Sequence, residues 1–269
     1  MSTSVSPPSL SPDRLSSERL RDIEARLARD GRVVAAELAL LYGASEDTIR
    51  RDLRRLAAEG RCQRVYGGAL PATPSKGVLS ARAQIAPEAK AALGAALARL
   101  VEPGMTVFID AGTTLIACAR ALAAAGPGAM AGVTVVTHAP AIAAALVEVE
   151  GLRLVTLGGV VDREVGAALG GGVLAAIAGV RADLLLLGAC GVDADAGITA
   201  QNPEDAAAKR AMAARSARAA TAADRTKLGA AAPFAVMDLA ACDILCVEAA
   251  TPAPLRDRLA ACGPALIEV

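Results

Sequence analysis

Aromatic residues are almost missing from this chain of 269 residues, which contains two Phe, two Tyr and no Trp. Nucleic-acid modules that stack bases on aromatic side chains need several exposed rings, so the composition argues against that class of protein. Hydrophobic residues nevertheless make up 54% of the chain, which is enough for a large core. Alanine and short aliphatic side chains must fill that core, as they do where helices pack closely on a sheet.

Metal-ligating residues are also scarce. His138 is the only histidine, and the six cysteines, at positions 62, 118, 190, 242, 246 and 262, include no CxxC pair. A zinc site built from clustered cysteine and histidine is therefore not expected, and we expect no cofactor. Most of the cysteines lie inside apolar runs, which favours small buried side chains in a reducing compartment.

Long apolar runs and an excess of charge are absent as well. No uninterrupted apolar run reaches the length of about 18 residues that spans a bilayer, and no basic segment followed by an apolar stretch begins the chain. We therefore expect a cytoplasmic protein that has no signal peptide and makes no membrane contact. The formal net charge is zero, so any surface that binds nucleic acid must be local.

The chemistry of the chain changes near residue 75. Residues 1–13 are rich in Ser and Pro and are expected to form a disordered tail. Residues 14–70 are rich in Arg and are predicted to form a small domain, and the Pro- and Gly-containing segment 71–79 a linker. Residues 80–269 alternate apolar strands with Ala-rich helices, which is typical of a mostly parallel α/β domain.

The first domain is predicted to hold three short helices and a hairpin. The helices begin at Ser16, near Ala35 and after Ser45, and the hairpin covers 61–70 around Gly67. The apolar residues recur with helical spacing, and they are expected to face inward: Leu20, Ile23, Leu27, Ile49, Leu53 and Leu56. Three helices followed by a hairpin indicate a winged helix-turn-helix, whose third helix enters the major groove of DNA.

The second domain is predicted to be built from eight strands and five helices. The strands are placed at residues 105–110, 133–137, 152–157, 183–189 and 243–248, with weaker candidates at 218–224, 233–237 and 265–269. The helices are placed at residues 87–101, 114–125, 139–149, 203–217 and 253–261. We expect the boundaries to be the least accurate part of this prediction.

Short donors and arginines cluster on the third helix and the hairpin. Ser45 and Thr48 lie near the start of the helix, where they suit phosphates or base edges, and Arg50 and Arg51 follow them. Six arginines and four acidic residues between 45 and 66 give a local charge of +2. On charge alone, these arginines could equally form a solvated helical face.

A glycine-containing loop separates an apolar strand from a helix at 109–114. Backbone amides at a helix start, beside the hydroxyls of Thr113 and Thr114, make a phosphate cradle. The alternative is a packing turn, which is common in α/β proteins. Neither a GxxxxGK[ST] nor a GxGxxG pattern is present there, so a nucleotide site has no support.

Other polar residues follow strand ends, and in open α/β sheets ligands bind beyond the carboxyl ends of strands. His138 follows one strand, and Gly158 and Gly159 follow the next. Further along the chain stand four charged candidates: Glu204, Lys209, Asp224 and Lys227. A lysine suits a phosphate, and a carboxylate suits sugar hydroxyls. The alternatives are that each charge is a surface group and that His138 is a structural residue at a strand end.

The order of these residues resembles a known family. Residues 44–53 (ASEDTIRRDL) and 62–69 (CQRVYGGA) closely resemble the recognition helix and wing of the DeoR family of bacterial transcription regulators, a likeness that spans 19–70. Residues 80–250 resemble that family's sensor domain, which is similar in fold to ribose-5-phosphate isomerase and glucosamine-6-phosphate deaminase. The matching pieces of the sensor domain are 110–114, 135–138, 157–159, 187–193, Glu204 with Lys209, and 224–229.

The resemblance implies roles for individual residues. The implied DNA contacts are Ser45, Thr48, Arg50, Arg51, Arg64, Tyr66 and Gly67. Gly112, Thr113 and Thr114 would hold the phosphate of an effector, Asp110 and Glu204 would bind its hydroxyls, and Lys227 would lie nearby. The further candidate ligand-binding residues are His138, Gly158, Gly159 and Lys209. His138 stands where Asn is more usual, which leaves the ligand preference open.

The resemblance also implies a function. We expect a repressor of a sugar or polyol catabolic operon, not an enzyme, that leaves its double-stranded DNA operator when a phosphorylated metabolite binds. Two DNA-binding heads that read two half-sites require a homo-oligomer, a dimer or a tetramer. The alternatives are a regulator whose vestigial sensor domain only oligomerises, and a sugar-phosphate isomerase or deaminase with an appended DNA-binding head.

Overall fold

The computed structural model describes residues 12–30, 32–59, 61–65, 67–71, 78–126 and 128–269. The chain forms two compact units, Met1–Ala72 and Thr73–Val269. Most of the predicted tail and of the predicted linker lies outside the described residues. Pro12 already begins a helix, Pro71 ends a strand and Leu79 begins a helix. Among the described residues, no helix has both the length and the apolar character needed to span a bilayer.

The first unit has the three helices and the hairpin that the sequence predicts. Its elements are α1 (Pro12–Asp30), β1 (Val33–Val34), α2 (Ala35–Tyr42), α3 (Glu46–Ala58), β2 (Cys62–Val65) and β3 (Gly68–Pro71). The strands form an antiparallel sheet in the order β1-β3-β2. The prediction of a winged helix-turn-helix is confirmed.

The helices of the first unit are set by their apolar stripes and their end residues. All six residues predicted to face inward are buried, and they form one cluster with residues of α2 and the hairpin. Gly43 ends α2 in the left-handed conformation, with φ of 59°. Ser45 caps α3, since its side chain accepts a hydrogen bond from the amide of Thr48 at 3.2 Å. These two end signals fix the turn that separates the two helices.

The hairpin is anchored to the rest of the first unit through backbone contacts. Strand β3 runs so close to β1 that a Cβ atom at Gly68 would lie 2.0 Å from the carbonyl oxygen of Val33. The carbonyl oxygen of Gly67 accepts a hydrogen bond from the amide of Ala35 at 2.7 Å. The turn of the hairpin is therefore fixed to the start of α2.

The second unit is built around a parallel sheet. Its strands are β4 (Thr106–Ile109), β5 (Thr134–Thr137), β6 (Arg153–Thr156), β7 (Val160–Asp162), β8 (Ala167–Leu169), β9 (Ala182–Leu187), β10 (Gly191–Asp193), β11 (Gly197–Ala200), β12 (Ser216–Ala223), β13 (Phe234–Met237), β14 (Ile244–Val247) and β15 (Ala265–Glu268). Its α-helices are α4 (Leu79–Ala83), α5 (Pro87–Ala98), α6 (Thr113–Ala123), α7 (Pro140–Leu146), α8 (Gly171–Ala178), α9 (Pro203–Ala214) and α10 (Ala253–Ala260).

Seven strands form the main sheet in the order β15-β14-β12-β9-β4-β5-β6, and all neighbours are parallel. A second, antiparallel sheet has the order β10-β11-β13, and β7 pairs with β8 in a hairpin. The predicted mostly parallel α/β architecture is confirmed. The weak candidate at 233–237 is a strand, but it belongs to the antiparallel sheet.

Helices cover both faces of the main sheet, because alternate residues of each strand point to opposite faces. In β4, Val107 and Ile109 pack in the cluster that includes residues of α5, α6 and α7. Phe108 packs in the other cluster, with residues of α8, α9 and α10. Both faces of the sheet are thus buried, as parallel sheets require.

Three predicted helices run three residues past the observed ends, and the surplus of one of them overlaps a strand. The prediction of a helix over 203–217 is wrong for its last residues, since α9 ends at Ala214 and β12 begins at Ser216. Alanine-rich stretches lack the contrast between apolar and polar positions from which a helix and a strand are told apart. The prediction for the cysteines holds for Cys62, Cys118, Cys242 and Cys246, which are buried, while Cys190 and Cys262 are half-buried.

A strained residue joins α4 to α5. Ala86 has φ of 47°, and it is the one described residue other than glycine with a positive φ. Because this conformation costs an L-residue about 1–2 kcal/mol, Ala86→Gly is expected to raise the free energy of unfolding by about 1 kcal/mol. The control is Ala92→Gly at an exposed position of α5, which should lower it by about 1 kcal/mol. Urea unfolding measures the free energy of unfolding of both variants. If it falls equally in both, Ala86 is not strained.

Candidate functional site

A cavity of about 170 Å³ lies at the carboxyl ends of the central strands of the second unit. The loops that follow β4 and β9 form part of its wall, and the start of α9 forms another part. The polar residues that line it are Arg82, Thr113, Thr114, Glu164, Gln201, Asn202, Asp205, Lys209 and Lys227, together with Cys190. The site lies where open parallel sheets bind ligands.

The loop after β4 presents unpaired donors to this cavity. Gly112 precedes α6 with φ of 136°, a conformation that favours glycine, and no side chain caps the helix. The first amides of α6 therefore lack partners within the helix. The hydroxyl of Thr114 is shielded from solvent and has no hydrogen-bond partner among the described residues. Together with the positive end of the helix dipole, these donors suit an anion.

Positive charge gathers beside that loop. Lys227 lines the cavity, and no hydrogen bond or ion pair joins its Nζ to another residue of the described ranges. Burial lowers the pKa of Lys227, and the nearby carboxylate of Asp224 opposes this shift. Lys90 is buried nearby, and burial, reinforced by the charge of Lys227, lowers its pKa too. Arg82, Lys90 and Lys227 share the wall of a smaller recess with Asp224, the one carboxylate there.

A buried network of charges lies beneath the cavity. Asp110 is fully buried, and its Oδ2 accepts hydrogen bonds from the amide of Gly188, at 2.8 Å, and from the ammonium group of Lys209. Lys209 also pairs with Asp205 at 3.2 Å. Burial alone would raise the pKa of Asp110, but Lys209 and His138 outweigh it and lower that pKa to about 2. Burial would lower the pKa of Lys209, but Asp110 and Asp205 raise it.

His138 completes the network. Its Nδ1 lies 2.9 Å from the carbonyl oxygen of Ala168, and its Nε2 lies 3.0 Å from Oδ1 of Asp110. A carbonyl oxygen and an ionised carboxylate only accept hydrogen bonds, so both ring nitrogens of His138 face acceptors. The carboxylates of Asp110 and Asp205 both face the ammonium group of Lys209. The network ties together the ends of β4, β5, β8 and β9 and the helix α9.

Five of the predicted ligand-binding residues line the cavity: Gly112, Thr113, Thr114, Lys209 and Lys227. Asp110 and His138 lie beneath it, with their polar atoms bound to protein partners. Gly158, Gly159 and Glu204 are exposed and are not among the residues that line it. The structure therefore does not bring the predicted hydroxyl-binding carboxylates into the cavity.

Sequence reasoning missed other residues of the cavity, notably Arg82, Asn202 and Asp205. Asn202 caps α9, since its side-chain oxygen accepts hydrogen bonds from the amides of Glu204 and Asp205 at 2.8 and 3.2 Å. Arg82 gave no signal, because it precedes the first predicted strand and lies outside any periodic pattern.

The predicted DNA-binding residues of α3 are held in exposed local pairs. Arg50 bonds Glu46 at 2.7 Å, and Arg51 bonds Asp47 at 3.1 Å. The hydroxyls of Ser45 and Thr48 lie 2.9 Å apart. Exposed pairs of this kind contribute little to stability, so the arginines can exchange them for phosphates.

The hairpin offers a second exposed segment. Arg64 and Gly67 are exposed, while Tyr66 lies outside the described residues. Arg61 is engaged by Glu59, at 2.8 Å, and by Glu24. Asp52 is buried on the inner face of α3 and pairs with Arg19 of α1 at 2.6 Å.

A winged helix-turn-helix joined to an α/β unit with a polar cavity at the carboxyl ends of its strands is the architecture of a DNA-binding transcription regulator with a sensor domain. The profile of the DeoR-like helix-turn-helix domain matches 19–74, and that of the DeoR C-terminal sensor domain matches 85–249. The chain belongs to the DeoR family of transcription regulators, as its sequence indicates, and it is a regulator rather than an enzyme.

Curated relatives agree with this assignment. The chain is 31% identical over 258 residues to the HTH-type transcriptional regulator GlpR of Haloferax volcanii. The aligned region covers 94% of this chain and 98% of GlpR. It is 30% identical to the HTH-type transcriptional repressor GlcR of Bacillus subtilis, over 86% and 88% of the two chains. It is 28% identical to the glycerol-3-phosphate regulon repressor of Escherichia coli, over 90% and 94%.

Solved structures show weaker likenesses. Ribose 5-phosphate isomerase A of Methanocaldococcus jannaschii matches with a TM-score of 0.39 and 14% identity, over 52% of this chain and 54% of that one. The sorbitol operon regulator SorC of Klebsiella pneumoniae matches with a TM-score of 0.34 and 14% identity, over 82% and 92%.

Proposed function

We propose that the protein represses an operon for the breakdown of a sugar or polyol, and that a phosphorylated intermediate of that pathway releases it from its operator in the cytoplasm. The exposed face of α3 and the hairpin would bind double-stranded DNA, and the cavity of the second unit would bind the effector. The regulators to which the chain is similar include a repressor named for glycerol 3-phosphate.

The observation that carries the effector class is the set of unpartnered donors in one cavity. The first amides of α6, the hydroxyl of Thr114 and the ammonium group of Lys227 lack partners among the described residues. A buried donor without an acceptor is costly, and a phosphate group accepts several hydrogen bonds while it neutralises positive charge. A phosphorylated ligand therefore satisfies these groups together.

Other residues that line the cavity suit hydroxyl groups. Gln201 and Asn202 line it, and Oδ1 of Asp205 is buried there without a hydrogen bond to any described residue, although it lies 3.2 Å from Lys209. A carboxylate oxygen with an unused lone pair accepts a hydrogen bond from a hydroxyl group. We propose Asp205 for the role that the family resemblance gives to Asp110 and Glu204.

Release from DNA requires that the effector bind better to the arrangement that does not fit the operator. A tenfold loss of DNA affinity requires about 1.4 kcal/mol of coupling. Two half-sites on an operator need two recognition helices, so we propose that the protein acts as a dimer or a tetramer.

The test is a thermal-shift screen of the full chain against sugar phosphates and polyol phosphates, followed by release from its own promoter DNA. A ligand at a hundredfold excess over its Kd adds about 2.7 kcal/mol to the free energy of unfolding. A hit that also releases DNA supports the proposal and names the effector. If no compound shifts the transition, the phosphorylated effector is wrong, and a sensor domain that only oligomerises becomes the better explanation.

Arg51→Ala separates the two proposed activities. It is expected to weaken operator binding about tenfold and to lower the slope of log K against log salt by about 1, because one phosphate contact is lost. The thermal shift caused by the effector should stay as in the wild type. Arg99→Ala, at an exposed position of the second unit, is the control and should change neither. Loss of effector binding in Arg51→Ala would contradict the proposed division of labour.

A further inference from the structure

Helix α4 is the first described element of the second unit, and burial of apolar side chains does not hold it in place. It has five residues, none of which is buried. A helix of this length is not stable by itself. One apolar contact of the helix is that of Leu79 with Gly166, where an added Cβ atom would lie 2.5 Å from a methyl group of Leu79. Because no residue of α4 is buried, polar contacts contribute to holding it in position.

Those polar contacts converge on Arg82. The Nη2 atom of Arg82 donates to the carbonyl oxygen of Glu164, and to that of Val165 at 3.4 Å, in the turn between β7 and β8. The backbone carbonyl of Arg82 accepts a hydrogen bond from Nζ of Lys90 at 2.6 Å. One residue of α4 thus connects the helix both to the β7–β8 turn and to α5.

Arg82 keeps an unused donor at the cavity. Its Nε atom is shielded from solvent and has no hydrogen-bond partner among the described residues. Its guanidinium group contacts backbone carbonyls and, within the described part of the chain, no carboxylate. Arg82 lines the same cavity as Thr113 and Lys227. An arginine with a buried free donor beside a second cation requires a negatively charged acceptor.

We propose that Arg82 binds the anionic group of the effector directly. Through this contact, bound ligand would hold α4 more firmly against the rest of the second unit. The inference rests on the proposed function, because it requires an anionic effector in the cavity. An anion at this point supplies the acceptor that Nε lacks and offsets the repulsion among Arg82, Lys90 and Lys227. Binding therefore strengthens the attachment of α4, which lies next in sequence to the segment that joins the two units.

The experiment compares Arg82→Gln with the wild type by calorimetric titration of the full chain with glycerol 3-phosphate and with inorganic phosphate. Loss of a charge-assisted hydrogen bond weakens binding about 10- to 100-fold. Arg99→Gln makes the same change at an exposed arginine of the second unit and should bind as the wild type does. Arg82→Lys keeps the charge without the planar donor pair and should fall between the two.

Hydrogen exchange provides the second readout. Amides of 79–86 are expected to exchange at least about tenfold more slowly when the ligand is bound to the wild type, because local opening then requires loss of the ligand contact. In Arg82→Gln, bound ligand should no longer slow the exchange of these amides. At saturating ligand, the amides of α6 should still exchange more slowly than in the free variant.

Leu79→Ala separates binding from packing. It removes the apolar contact of α4 and keeps the guanidinium group, so we expect its Kd to stay within about threefold of the wild type. Equal losses in Leu79→Ala and Arg82→Gln would assign Arg82 a structural role and overturn the inference. Wild-type affinity in Arg82→Gln would also overturn it and leave the proposed function standing. No binding of either compound by the wild type would overturn the inference as tested here, while the panel of sugar phosphates and polyol phosphates decides on the proposed function.

Discussion

Asp110→Asn is expected to lower the free energy of unfolding of the second unit by about 3–5 kcal/mol, because it leaves the buried ammonium group of Lys209 with Asp205 alone as its counter-charge. Lys209 is almost fully buried and bonds Asp110 directly, and His138 faces the other carboxylate oxygen. The substitution keeps the shape of the side chain and removes only its charge. The loss is therefore electrostatic rather than a cavity effect.

The measurement is urea unfolding followed by far-UV circular dichroism. Both tyrosines, at positions 42 and 66, belong to the first unit and the chain has no tryptophan, so tyrosine fluorescence reports that unit separately. Asp257→Asn is the control, since Asp257 is an exposed carboxylate of α10, and it should change stability by less than about 0.5 kcal/mol. A similarly small change in Asp110→Asn would show that the network is not charged.

The same variant also predicts the direction in which stability changes with pH. A carboxyl group whose pKa is lowered on folding stabilises the native state above its unfolded pKa of about 4, and this contribution is lost as the pH falls toward its folded pKa. The folded pKa of Asp110 is about 2. The wild type should therefore lose more stability than Asp110→Asn between pH 5 and pH 2. Burial raises the pKa of Asp205. This group therefore makes the native state more stable as the pH falls, in the wild type and in the variant alike.

Thr114→Val combined with Lys227→Met should abolish the response to the effector while operator binding persists. Each substitution removes a polar group that lines the cavity without a partner among the described residues. Loss of one hydrogen bond and one charged contact is expected to weaken effector binding at least about 100-fold. Fluorescence anisotropy with promoter DNA, with and without the effector, measures both properties.

The free protein should become more stable in this double variant. A buried hydroxyl without a partner costs about 1–3 kcal/mol, and burial disfavours the charged form of Lys227, whose pKa it lowers. Thr251→Val is the matched control, because the hydroxyl of Thr251 is also buried without a partner among the described residues but lies outside the cavity. It should raise stability and leave the effector response intact. Persistent release of the double variant by effector would place the ligand elsewhere.

The parts of the fold that could be predicted are those with strong local patterns. The strands that contain Phe108, Val135, Leu185 and Leu245 are apolar runs, and all lie in the main sheet. Strands β7, β8, β10 and β11 have three or four residues each, too few for a period to show. Helix α8 begins in a run of three glycines, which hides its helical pattern.

The candidate site could be predicted only where one segment carries it. The sequence places Gly112, Thr113 and Thr114 at a helix start, because a strand, a glycine and a helix follow one another directly. The direction in which Asp110 points depends on Lys209, which is 99 positions away in the chain. A polar residue after an apolar strand looks the same whether its oxygens bind a ligand or a buried lysine.

The close approach of β3 to β1 limits how the operator preference of this protein can be changed in the laboratory. Any residue larger than glycine at position 68 would meet the carbonyl oxygen of Val33 at 2.0 Å, so randomising that position yields misfolded heads rather than new specificities. Thr48, Arg50, Arg51 and Arg64 are not members of the apolar cluster of the first unit, and the three arginines are exposed. A library for new operators should vary those four positions and keep Gly68 and the helix cap Ser45 fixed.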